Sequence, residues 1–99
     1  MTSPHPEKPE TLALIAASQD GDRSAEALLI RRNMGFINYL SVRVANRTHY
    51  RNCAQERDDL CQAGAIGFLL AVRSFDQSKG VKLLSWAGWK VEETVRTWL

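Results

Sequence analysis

Residues 63–72 read Ala-Gly-Ala-Ile-Gly-Phe-Leu-Leu-Ala-Val, ten positions without one polar side chain. A membrane crossing needs about 20 such residues, so this run must be covered by protein instead. Written as a helix it is apolar nearly all round, the pattern of a helix at the centre of a domain. Gly64 and Gly67 within it leave room for neighbouring helices to come close. The chain is therefore constrained to a fold in which other elements surround this one.

Those elements also read as helices. No stretch alternates apolar and polar residues with β-branched enrichment, so no strand is predicted. A first helix is expected over about 11–19, with Leu12, Ile15 and Ala16 at helical spacing. It stops at Asp20-Gly21, where glycine takes a left-handed cap, and Asp22 caps the next helix by accepting from exposed backbone N–H groups. The second is expected over about 23–48, with Ala25, Leu28, Leu29, Phe36, Ile37, Leu40 and Val44 in one stripe and Arg31, Arg32, Arg43 and Arg47 mostly off it. Gly35 inside that span suggests a close crossing. A polar loop is expected over 49–55. The third helix then starts near Glu56-Arg57-Asp58-Asp59, with carboxylates at the positive end of its dipole. Residues 75–80 form a turn, and a fourth helix runs from near Leu84 to the end. The fold class is all-α, a bundle of about four helices. The domain spans 10–99, behind a disordered lead of residues 1–9 that carries three prolines and no hydrophobic block.

Several functions are disfavoured. With 13 Lys/Arg against 11 Asp/Glu, the net charge of +2 is too small to imply nucleic-acid binding unless it is concentrated on one face. Cys53 and Cys61, with only His5 and His49 to join them, lack zinc-site spacing, so no metal is expected and two thiols in a reducing cytoplasm are the simpler reading. No nucleophile, base or phosphate-cradling loop is grouped as an active site requires. Neither an enzyme nor a cofactor is predicted.

The final helix carries the informative anomaly. On a wheel, Ala87, Val91, Thr94, Val95 and Trp98 share the core face, while Trp86, Trp89, Lys90, Glu93 and Arg96 share the other. Tryptophans on a polar face either pack under another part of the domain or form a platform for a partner. Here Lys79, Lys82, Lys90 and Arg96 lie nearby. Aromatic rings flanked by cations suit unstacked bases and their phosphates, and a protein that opens a duplex needs pockets for extruded bases. A second surface is the acidic start of the third helix, with Asp58, Asp59 and Gln62, which either complements the dipole or docks a basic partner.

Residues 58–80, Asp-Asp-Leu-Cys-Gln-Ala-Gly-Ala-Ile-Gly-Phe-Leu-Leu-Ala-Val-Arg-Ser-Phe-Asp-Gln-Ser-Lys-Gly, resemble the region 2 signature of bacterial sigma-70-family transcription initiation factors, D-L-x-Q-x-G-x-x-G-L-x-x-A-V-x-x-F-D-x-x-x-G. Residues 80–87, Gly-Val-Lys-Leu-Leu-Ser-Trp-Ala, are similar to the family's G-x-K-F-S-T-Y-A segment and closest in flavour to the heat-shock subclass, G-V-R-L-x-S-F-A. Upstream, Gly21-Asp22 through Leu29-Ile30 resembles the opening G-D-x-x-A-x-x-x-L-I. The likeness covers about 10–99.

The resemblance implies two jobs and two partners. Asp59, Leu60, Gln62, Ile66 and Leu69 would dock on the coiled coil of the β′ clamp of core RNA polymerase. Lys79, Lys82, Trp86, Trp89, Lys90, Glu93 and Arg96 would meet promoter DNA, with Trp86 in place of the aromatic that stacks on the flipped adenine of the minus-ten element's non-template strand. An anti-sigma factor is a further partner the family admits. Departures fall at Ala63, Leu83, Lys90 and the pair Glu92-Glu93, which stand where the family has Glu, Phe, the second Trp of a pair, and Arg-Gln. Two carboxylates toward DNA repel phosphate, although glutamate can accept from a cytosine amino group. The family's region 3 and helix-turn-helix region have no counterpart here, so a stand-alone or truncated region 2 is implied, without the affinity that tethered domains supply. The competing expectation is a clamp-binding competitor that does not read DNA.

Overall fold

A computed structural model describes residues 8–47 and 54–98, with side chains from 58 onward in the second stretch. His5, His49, Cys53 and the loop expected over 49–55 lie largely or wholly outside the described residues. Among those residues the fold is all-α, with five α-helices: α1 (Pro9–Gln19), α2 (Arg23–Arg32), α3 (Met34–Arg47), α4 (Ala54–Ser74) and α5 (Leu83–Trp98), plus a 3-10 turn (Gln77–Lys79). No helix among them is long and apolar enough to cross a membrane.

The helix expected over 23–48 is two helices, because Asn33 ends the first. Its side-chain Nδ2 donates to the Leu29 carbonyl at 2.8 Å, and its backbone N–H donates to Ile30 at 3.1 Å. Asparagine offers the backbone this alternative to helical pairing. Its own carbonyl then accepts from Ile37 and starts α3. The turn before α2 is as the sequence predicts. Gly21 has φ 99°, and the Asp22 carboxylate accepts from Ser24 and Ala25 at 2.9 and 3.1 Å.

Among the described helices, α4 alone touches all the others. Its Leu60, Phe68, Ala71 and Val72 are buried together with Ile15, Leu29, Ile37, Val44, Val91 and Val95. Full burial of a side chain such as Phe68 contributes roughly 1.5–3 kcal/mol. The helix is not covered all round, however: Ile66 and Leu70 are exposed. The glycines set how closely neighbours approach. A Cβ on Gly64 would run into the Ser41 hydroxyl of α3, and one on Gly67 would stand 2.9 Å from the Lys90 carbonyl and 2.9 Å from the Val91 Cα of α5. At Gly35 a Cβ would meet nothing within 4 Å, so the crossing its presence suggested is not there. Trp98 also departs from expectation, being exposed. A wheel carries angle and not length, and Trp98 stands almost a turn beyond Val95, the last buried residue of α5.

The two α4 glycines therefore differ from Gly35 in a measurable way. Gly67→Ala is expected to cost about 1–3 kcal/mol, because two of the three nearest atoms are backbone and cannot step aside. Gly35→Ala should be neutral or stabilise by up to about 1 kcal/mol. Urea unfolding followed by circular dichroism reads both.

Candidate nucleic-acid interface and docking face

The last four carbonyls of any helix lack intrahelical donors, and in α4 two distant side chains serve them. Gln19 of α1 donates its Nε2 to Val72 O and to Phe75 O, each at 2.9 Å. Trp86 of α5 donates its indole Nε1 to Ala71 O and to the Ser74 hydroxyl, each at 3.2 Å. Ser74 in turn donates to Leu70 O at 2.8 Å. Trp86 is thus half-buried and held, a structural indole as well as a surface one. Covering by the domain itself, one of the two readings of its position, applies to Trp86 in part.

Trp89, one turn on, is 51 % exposed and covered far less. Its ring centroid lies 5.6 Å from that of Trp86, with the planes tilted by 36°. Beside Trp86 opens a hollow of about 300 Å³ lined by Ser74, Phe75, Asp76, Lys79, Val81 and Trp86. That volume is at the small end of the range for ligand pockets, about 300–1,000 Å³. Its wall is an Asx turn: the Asp76 carboxylate accepts from the Ser78 hydroxyl at 2.6 Å and the Ser78 N–H at 2.9 Å. Those two bonds hold the Asp76 carboxyl below the usual aspartate range, so it is ionised at neutral pH and can only accept. With the folded value depressed, whatever the turn contributes is present above the ordinary aspartate range and is lost as pH falls through the folded value. Gly80, at φ 73°, closes the turn.

The basic residues divide into two kinds. Lys90 Nζ lies 3.7 Å from Glu93, and Arg96 lies 3.9 Å from Glu92. Among the described residues, neither Lys79 nor Lys82 forms an ion pair. Lys82 also stands immediately before α5, where the helix dipole opposes a cation, so helix stability does not account for it. Glu92 and Glu93 thus each engage a neighbouring cation of the same helix. Consecutive helical residues diverge by about 100°, so only Glu93 shares the Trp86 face, and Glu92 is half-buried.

On α4, Asp59, Gln62 and Ile66 are exposed and Leu69 is half-buried, at spacings that keep them along one side. Leu70 extends the stripe and is exposed, and Arg73 ends it in an ion pair with Glu26 at 3.4 Å. From 59 to 70 this side is roughly 16 Å long. Leu60 does not belong to it: at 0 % exposure it is a core residue, and the contact expected of it is not available on this surface. Leu70 went unnoticed because an apolar run conceals which of its members face outward.

A third surface went unnoticed as well. The outer side of α3 carries exposed Tyr39, Arg43, Asn46 and Arg47, which border a shallow open groove with Val42, and α3 contains no acidic residue. The signal was there in Tyr39, Arg43 and Arg47 at four-residue spacing.

Comparison with known proteins gives these surfaces a family. The model of "Sigma-70 region 2" matches residues 29–99. Relatives include an RNA polymerase sigma-F factor of Bacillus licheniformis, 40% identical over 79% of this chain and 28% of its own length. The RNA polymerase sigma-C factor of Myxococcus xanthus is 32% identical over 90% of this chain and 28% of its own. The RNA polymerase sigma-E factor of Clostridium acetobutylicum is 28% identical over 93% of this chain and 37% of its own. No solved structure matches. The chain belongs to the sigma-70 family as a region 2 domain, and it spans about 28% of the length of the sigma-F relatives it matches.

The two tryptophans should separate on substitution. Trp86→Phe removes the only donor of that ring and is expected to cost about 1 kcal/mol, whereas Trp89→Ala should stay within about 0.5 kcal/mol, as exposed positions do. Denaturant midpoints of the two variants decide this.

Proposed function

We propose that this domain acts in transcription initiation by docking on core RNA polymerase through the outer side of α4 and by holding the melted non-template strand of the minus-ten element on the α5 face. The observation that carries the reading is the hollow beside Trp86 with the exposed Trp89 ring next to it. An extruded base enters the hollow against the fixed indole of Trp86, and a neighbouring base stacks on Trp89. The ionised Asp76 at the rim accepts from an exocyclic amino group, which favours adenine or cytosine over thymine. Lys79 and Lys82 take the phosphates. Arg43 and Arg47, on a helix packed against α5, add cations for flanking DNA.

Docking uses a different chemistry. Asp59 and Gln62 present acceptors and a donor at one end of α4, and Ile66, Leu69 and Leu70 present apolar area along it. That combination suits a basic, amphipathic helical partner, and the β′ clamp coiled coil is the partner the family implies. An anti-sigma factor would compete for the same side. A clamp-binding competitor that reads no DNA is the second reading, favoured by the pairing of Lys90 and Arg96 with glutamates.

Binding of a fluorescent single-stranded minus-ten oligonucleotide to core polymerase, with and without the protein, tests both. Sequence-dependent capture is expected only when the protein is present. Trp89→Ala should weaken capture by about 1–3 kcal/mol while polymerase binding is unchanged, and Ile66→Asp should abolish both. Arg43→Ala should weaken binding of duplex-flanked DNA uniformly across sequences and lower the salt slope by about one. Polymerase binding without any capture would leave the competitor reading.

A further inference from the structure

We propose that Lys90 is a movable cover on the Trp86–Trp89 face, latched by Glu93, and that a nucleic-acid phosphate releases it by taking its ammonium. The inference rests on the proposed DNA-binding role of that face and adds how access to it is controlled.

The Lys90 ammonium stands 5.5 Å from the Trp86 ring centroid and 5.0 Å from that of Trp89. Both distances lie within the reach of a cation–π contact, about 6 Å. Its side chain is only 26% exposed, although it lies on an outward face of α5. A base that stacks on these rings uses the ring face, which is also where a cation–π partner sits. Stacking on the side that the ammonium occupies therefore requires it to leave. Glu93 opposes this, since its carboxylate lies 3.7 Å away on the next turn and is itself 48% exposed. A partly exposed pair at this spacing is a weak latch, strong enough to bias the side chain and weak enough for a phosphate to replace the carboxylate. The exchange moves one cation from one anion to another and breaks no covalent bond.

The backbone under Lys90 does not move with the side chain. Its carbonyl accepts from the Thr94 hydroxyl at 2.8 Å and lies under Gly67, where α4 presses on α5. Only the side chain is free to swing. No carboxylate other than Glu93 pairs with Lys90 among the described residues. The latch is thus one residue, and it can be removed without disturbing the rings.

The test uses the full chain bound to core polymerase and a fluorescent single-stranded oligonucleotide at fixed low salt. Glu93→Gln is expected to tighten capture roughly two- to fivefold, the span of an exposed ion pair. In a Lys90→Met background the same substitution should give no gain. Without DNA, Lys90→Met should make tryptophan emission more sensitive to acrylamide quenching, because the rings lose their cover. An equal gain from Glu93→Gln with and without Lys90 would mean that the carboxylate only repels phosphate, and would overturn the cover. Wild-type capture with no Glu93→Gln gain would overturn it as well. No capture by the wild-type chain is a failure of the proposed DNA-binding role itself, and so is distinguishable from either.

Discussion

The close approach of α4 to its neighbours is the constraint on which the rest of this domain depends. Gly67 lets α4 rest on the Lys90 carbonyl and the Val91 Cα, and Gly64 makes room for Ser41 and Ile37 of α3. Packed interiors have no spare volume, so these two positions fix the distance between three helices at once. The buried set of Phe68, Val72, Val91, Val95, Ile37 and Val44 is complete only at that separation. Burial of this kind, and not helix propensity, holds short helices together.

The same constraint decides which residues are left for the two proposed surfaces. The inner side of α4 is spent on the core, so what is left for a partner is Asp59, Gln62, Ile66 and Leu70 on the outer side. The C-terminal carbonyls of α4 are answered by Gln19 and Trp86. The end of the proposed docking helix is therefore joined directly to the indole that walls the proposed base pocket. Trp86 thus holds the helix end and also walls the proposed pocket, which is why its neighbour Trp89 is the cleaner probe of ring stacking.

Charge in this domain works locally. A net +2 attracts little at a distance. Lys79 lines the hollow near the Asp76 carboxylate, Lys90 and Arg96 are engaged by glutamates of their own helix, and α3 carries Arg43 and Arg47 without any acid. A polar helix face that looks self-opposing as a string of letters becomes, at three- and four-residue spacing, a set of ion pairs.

The sequence by itself determined the fold class, the central helix, the caps at Gly21 and Asp22, the turn over 75–80, and the anomalous tryptophans, because each rests on periodicity or on a conformational preference of one or two residues. The family likeness was legible for the same reason, being dense over residues 58–80. That Asn33 splits one expected helix into two follows from a local side-chain bond to Leu29 that apolar periodicity does not register. Tertiary structure alone decided that Leu60 is core while Leu70 is surface, since both lie in or beside one apolar run and only the neighbours of α4 tell its sides apart. It also decided that Trp86 is anchored and Trp89 is open, since the acceptors on Ala71 and Ser74 belong to the preceding helix and only the packing of α5 against it brings them to the indole. Periodicity specifies an angle around a helix; which sector is covered, and how far along, depends on what packs there.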